Sequence, residues 1–186
     1  MANDAVNKPF KTRDVLIAVA SGGLAIALVL YFAGQWELEA HPLVGKPAPE
    51  IEYEIKTGKR ASVTKQKGST ILINFWATWC SPCMEEMPSL SVLESHFAAK
   101  GLVLLAFNIE DHFGENLRAQ IAGNRMPRNL IFNFSKEQLR PYNVQSIPLS
   151  VLIDQHGVIR KVYSGPRNWM NIGVLKDIEA VLKESN

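Results

Sequence analysis

Cysteine is scarce in this chain, with two in 186 residues. That is too few for a disulfide-stapled mini-protein, yet enough for one reactive pair. Charge of one sign is also scarce: 20 Lys and Arg stand against 18 Asp and Glu. Nucleic-acid binders usually carry a clustered basic excess, so no nucleic-acid partner is expected. Internal repeats and low-complexity segments are missing, which excludes fibres and solenoids. With 47% apolar and 20% charged residues, the chain is too apolar and too evenly charged to be disordered. Its length suits one ordinary domain with an appendage.

The longest uncharged run is at the N-terminus, where residues 15–34 read VLIAVASGGLAIALVLYFAG. As a helix, 20 residues would span roughly 30 Å, the thickness of a bilayer's hydrocarbon core. The competing reading is a cleaved secretory signal, whose apolar region usually runs about 7–15 residues. Ala33-Gly34-Gln35 and Leu38-Glu39-Ala40 are both poor cleavage sites, so an uncleaved anchor is expected. Lys8, Lys11 and Arg13 precede the run, and Glu37 and Glu39 follow it. The positive-inside rule then keeps residues 1–14 in the cytoplasm and puts everything after the span outside it. Residues 35–49, with Pro42, Gly45, Pro47 and Pro49, read as a tether. The remaining residues, 50–186, form the domain, in an oxidising compartment where cysteine pairs are expected to be redox-active or bridged.

Within that domain, residues 50–67 alternate around Thr57-Gly58-Lys59 and predict a β-hairpin. Residues 70–76 and 102–107 are apolar runs of buried-strand length, separated by helical spacing over 80–100 that ends at Lys100-Gly101. A helix over 114–123 and a short strand over 129–132 follow as an insert. A helix over 135–140, opened by a Ser135 cap, comes next. Residues 149–153 and 158–163 read as antiparallel strands around Asp154-Gln155-His156-Gly157. Helical intervals over 169–183 close the chain. The fold class is α/β with a mixed central sheet flanked by helices.

The chemistry gathers at the first strand–helix junction, Cys80-Ser81-Pro82-Cys83. A nucleophilic thiol must be a thiolate, and a helix N-terminus stabilises one through its dipole and free N–H groups. Positions three apart share a helix face, so the two sulfurs can close into a small disulfide. Pro82 suits a first turn, where its missing N–H has no helical partner anyway. Cys80 is the expected attacking thiol and Cys83 the resolving one. Two other uses compete. Zinc would need help from His96 and His112, which lie 13 and 29 residues past Cys83 without zinc-finger spacing. A purely structural bridge would close a loop of only four residues and constrain the unfolded chain little.

Asn74-Phe75-Trp76-Ala77-Thr78-Trp79-Cys80-Ser81-Pro82-Cys83, followed by Glu86-Met87-Pro88, resembles the membrane-tethered thioredoxin-like proteins of the TlpA and ResA kind. The resemblance runs from Gly45 to the C-terminus. It implies a thioredoxin-like fold with a lead-in hairpin and a central insert, and thiol–disulfide exchange with no organic cofactor beyond the Cys80–Cys83 pair. It implies client proteins with disulfides or paired cysteines, such as cytochrome c apoproteins or copper sites, and a membrane thiol donor of electrons. Pro148 falls where the family places a cis-proline beside the cysteines, and the Ile147 backbone before it would pair with an extended client. Glu86 matches an acid that ResA-like members hold near the site, where a proton-transfer role competes with that of a solvated helix carboxylate. Asn74 stands where cytoplasmic thioredoxins carry a buried acid, and an amide exchanges no proton at physiological pH. Trp79 is expected in the client-facing surface and Trp76 in the core.

The sequence also departs from the family. Leu149 follows Pro148 where relatives often have Thr, and Asn143-Val144-Gln145-Ser146 lacks the pattern of the CcmG-type cytochrome-maturation proteins. The expected function is an extracytoplasmic, membrane-tethered reductase of client disulfides. The alternatives are a copper chaperone of thioredoxin fold and a disulfide oxidant or isomerase. No metal site is expected.

Overall fold

The computed structural model describes residues 23, 26, 41–55, 57–66, 68–110 and 121–184. Most of the anchor expected over 15–34 and most of the helix expected over 114–123 lie outside the described residues. Among those described, no helix is long and apolar enough to cross a membrane. The unit built here is His41–Asn186.

Its frame is a five-stranded mixed sheet in the order β5-β4-β3-β6-β7. The strands are β3 (Thr70–Trp76), β4 (Leu102–Asn108), β5 (Leu130–Ile131), β6 (Leu149–Ile153) and β7 (Ile159–Ser164). The central strand β3 is buried at every position, which is why it reads as a continuous apolar run rather than an alternation. It runs parallel to β4, in register from Thr70↔Leu102 to Trp76↔Asn108. On its other side it runs antiparallel to β6, and Asn74 faces Ser150 across that pair.

Successive side chains of β3 serve opposite faces. Leu72 and Trp76 pack with Leu90, Leu93 and Phe97 of helix α1 (Ser81–Phe97) and with Ile178 and Leu182 of helix α2 (Ile172–Lys183). Ile71, Ile73 and Phe75 pack on the opposite side with Ile51, Tyr53 and Val63 around a separate antiparallel pair, β1 (Glu52–Glu54) and β2 (Arg60–Ser62). Residues such as Phe75 and Leu90 have no exposed surface; truncating one to Ala costs about 2–5 kcal/mol. Asn74 belongs to the helix-facing set by this alternation, and that places a polar group beneath α1.

Helix α1 passes into one 3₁₀ turn, Ala98–Lys100, and ends at Gly101, whose φ of 92° is a left-handed conformation open to glycine. The C-terminal helix starts three residues later than the apolar spacing suggests. Asn171 caps it by accepting the Gly173 N–H at 2.9 Å, while Trp169 is buried ahead of it, edge-on to Tyr163 at 5.4 Å.

Two expectations are corrected. The segment opened by Ser135 is a 3₁₀ helix, Lys136–Tyr142, and Ser135 makes no side-chain cap. Pro141 lies inside it and has no N–H to complete an α-helical bond. The expected tether, 35–49, is paired to the domain over its described last residues. The Gly45 N–H donates to the Ile159 carbonyl, Ile159 N–H to Lys46, and Ala48 N–H to Gly157. Pro47 bridges Val158, so this stretch is zipped to the start of β7 despite its prolines.

Candidate active site

From the end of β3 the chain passes through Ala77-Thr78-Trp79 into the N-terminus of α1. Cys80 is the N-cap of that helix; its sulfur accepts the Cys83 N–H at 3.2 Å, and Pro82 occupies the first turn. The two cysteines form a disulfide, with Cα atoms 5.2 Å apart. When the pair is reduced, the same helix end favours a thiolate at Cys80. Cys80 keeps a small exposure of 6% and Cys83 has none, so the outer sulfur is the one a client can reach.

The strand β6 brings the second half of the site. Its pairing with β3 ends at Phe75↔Leu149, and the cis peptide Ile147–Pro148 comes immediately before. Cys80 Sγ lies 3.8 Å from the Ile147 carbonyl oxygen. Trp79 is 69% exposed beside it. Trp79, Cys80, Cys83, Ile147 and Pro148 thus lie just beyond one end of the paired central strands β3 and β6, while Trp76 is fully buried.

Glu86 sits one turn beyond Cys83 on α1 and is only 3% exposed. Its carboxylate accepts the Asn74 side-chain amide at 3.0 Å and the Arg167 backbone N–H at 3.1 Å. Asn74 also donates to the Ser150 hydroxyl at 2.9 Å. Burial pushes the Glu86 carboxyl up from its ordinary range, opposed by the Arg167 and Asn74 donors. The strand position held by an acid in cytoplasmic thioredoxins is an amide here. That amide holds a carboxylate supplied from the helix instead.

A second carboxylate braces the loop before the cysteines. Glu110 accepts the Thr78 N–H at 2.8 Å, the Thr78 hydroxyl at 2.7 Å and the Asn108 amide at 2.7 Å. Lys136 donates to the Asn108 carbonyl at 2.6 Å. Burial works to raise the Glu110 carboxyl, but the Thr78 and Asn108 bonds and the Lys136 charge outweigh it, and its pKa lies below the ordinary value.

Sequence reasoning missed Ser150, Arg167, Thr78 and Glu110. Ser150 had a readable signal: one hydroxyl in an otherwise apolar strand, as Asn74 is the one amide in its own. Among the described residues, no three His, Cys, Asp or Glu side chains gather as metal ligands. His96 is instead edge-on to Phe97.

Comparison with known proteins extends this geometry. Residues 44–162 match the model of the AhpC/TSA family. The thioredoxin-like protein YneN of Bacillus subtilis is 33% identical over 124 residues, covering 65% of this chain and 71% of its own. The thiol-disulfide oxidoreductase ResA of the same organism is 28% identical over 156 residues and 83% of each chain. A solved structure of a DsbE-type thiol:disulfide interchange protein from Chlorobium tepidum superposes with a TM-score of 0.65 at 27% identity, covering 75% of this chain and 97% of that one. With a redox-ready cysteine pair at the head of α1 on a thioredoxin-like sheet, the chain belongs to the AhpC/TSA family as a ResA- and TlpA-like thiol–disulfide oxidoreductase.

Proposed function

We propose that this oxidoreductase works outside the cytoplasm, held to the membrane by residues 15–34, and reduces disulfides in client proteins. The observation that carries the direction of attack is the unequal burial of the two sulfurs, with Trp79 and the Ile147 backbone beside the outer one. The Cys80 thiolate attacks one sulfur of the client disulfide, and the other client sulfur leaves and takes up a proton. Cys83 gives up its proton to the Glu86 carboxylate, one turn along α1, and attacks Cys80 Sγ. The second client sulfur leaves and is protonated in turn. The client gains two electrons and two protons, and the Cys80–Cys83 disulfide carries the oxidation. A membrane thiol donor then restores the dithiol. Cytochrome c apoproteins and copper-site cysteines are the client classes favoured by the family resemblance.

The reduction potential of the full chain tests the direction. Titration in dithiol buffers, followed by tryptophan emission, is expected to give a value near thioredoxin's, about −270 mV. A value near about −120 mV would make the protein a disulfide donor. A reporter enzyme active only outside the cytoplasm, fused after residue 186, tests the location.

A further inference from the structure

At the end of β7 the chain bends through Ser164-Gly165-Pro166-Arg167 and touches both halves of the site. The Gly165 N–H donates to the Pro148 carbonyl at 3.0 Å, and the Arg167 N–H donates to the Glu86 carboxylate at 3.1 Å. Gly165 takes a φ of 77°, a left-handed conformation that a side chain would strain. The Arg167 guanidinium folds back over this bend. It donates to the Ser164 and Gly165 carbonyls at 2.9 and 3.2 Å, and it lies over the rings of Tyr163 at 4.7 Å and Trp169 at 5.7 Å. Both rings are buried, and the Trp169 backbone N–H is tied to the Ser89 hydroxyl of α1 at 3.2 Å. The guanidinium is therefore anchored on the packed part of the fold as well as on the bend.

We propose that Arg167 is a positioning residue for Glu86: its guanidinium clasps the bend at residues 164–167 and so holds the backbone N–H of the same residue on the carboxylate. The inference rests on the proton-transfer reading of Glu86. It adds that one side chain holds both the carboxylate serving Cys83 and, through Gly165, the strand that a client pairs with. Facing Glu86 from the other elements are Asn74 of β3, with Ser150 of β6 behind it, and the Trp169 indole, all uncharged. On α1 itself Cys83 lies one turn ahead, and Glu85 is exposed and held by the Ser81 hydroxyl at 3.2 Å. The Arg167 N–H and the Arg167 charge both favour the ionised carboxylate, against burial.

Two variants of the full chain separate the clasp from the charge. Arg167→Lys keeps a positive charge but loses the planar fork that meets two carbonyls and stacks on a ring; Arg167→Met loses both. In each variant, amide hydrogen exchange at residues 165 and 167 is expected to quicken about tenfold, the scale of a lost hydrogen bond. The titration midpoint of the Glu86 carboxyl, read by carbon NMR, is expected to move up. The pH profile of the reaction with a synthetic peptide disulfide should follow, its acid limb moving up by the same interval. An Arg167→Lys chain with the parent's midpoint and amide protection overturns the clasp, because charge alone then accounts for Arg167. A midpoint that moves while the rate profile stays in place overturns the proton-transfer reading and leaves the clasp standing. In the parent, the Arg167 amide proton resonance is expected to move through the same midpoint as the Glu86 carboxyl carbon. A resonance that does not follow the carboxyl overturns the proposal even if neither variant folds.

Discussion

The Asn74 side-chain amide, on the strand that leads to the cysteines, donates at 3.0 Å to the Glu86 carboxylate, on the helix that leaves them. The bond ties β3 to α1 directly beneath the redox pair, and it makes the ionisation of Glu86 sensitive to what stands at position 74.

Asn74→Asp would put a second carboxyl within hydrogen-bond distance of the first, in a site with almost no water. Two carboxylates that close cannot both ionise, so the pair would retain one proton well above the ordinary carboxyl range. The expected result is an upward shift in the pH midpoint of the exchange rate with a peptide disulfide. A profile superimposable on the parent's would mean that Asn74 does not govern Glu86.

Stability should depend on pH through Glu86 in a defined direction. Its carboxyl is raised from about 4.5 in the folded chain, so the native state holds the proton where the unfolded chain has lost it. Stability is therefore fullest below about pH 4.5 and falls as pH rises through the folded value. Glu86→Gln removes this decline. Urea midpoints measured from pH 4 to 8 should show the variant gaining on the parent as pH rises, and parallel curves would contradict the assignment.

Glu110 should behave in the opposite sense. Its carboxyl lies below the ordinary 4.5 when folded, so its contribution is complete above that pH and is lost as pH falls through the lower folded value. Glu110→Gln is expected to cost about 1.5–3 kcal/mol at neutral pH, the scale of hydrogen bonds to a charged group. It should also flatten the acid limb of the stability profile. Chemical denaturation at pH 7 and pH 3 measures both effects.

Trp79→Ala should separate binding from folding. The side chain is 69% exposed, so the midpoint of unfolding should move by no more than about 0.5 kcal/mol. Loss of an aromatic anchor at a contact surface costs about 1–2 kcal/mol, so KM for a protein client should rise about fivefold to thirtyfold. Steady-state kinetics with the client and with glutathione disulfide, which needs no such anchor, distinguish the two.

Cys80→Ala should abolish exchange, and Cys83→Ala should instead accumulate mixed disulfides through Cys80. Non-reducing electrophoresis after reaction with a client shows the adduct directly. An adduct on Cys83 in the Cys80→Ala chain, with none in the reverse variant, would invert the order of attack.

The parts of this fold that the sequence makes legible are those whose signal is local. The strands at 70–76 and 149–153 are sandwiched on both faces, so each is an unbroken apolar run with sharp ends. The cysteine pair is equally local, because its chemistry depends on a three-residue offset at a helix start. What stayed hidden depends on register. Nothing near Ser150 announces that it faces Asn74, 76 residues earlier, and nothing near Glu110 announces Thr78. Glu86 is visible as a residue, but the Arg167 N–H that its carboxylate accepts comes from 81 positions away. The prolines at 42, 47 and 49 suggested a loose tether because proline weakens regular pairing. The backbone there pairs through the residues between them.

That pairing also has a mechanical side. Tension drawn along the chain from ahead of Gly45 enters the domain through the bonds of residues 45, 46 and 48 to residues 157 and 159. Those bonds lie at the start of β7, a rim strand, and β6 stands between it and β3. A tug on the leader is thus borne at the sheet's border, two strands away from the one that carries the cysteines, and the redox pair hangs on the unloaded part of the frame.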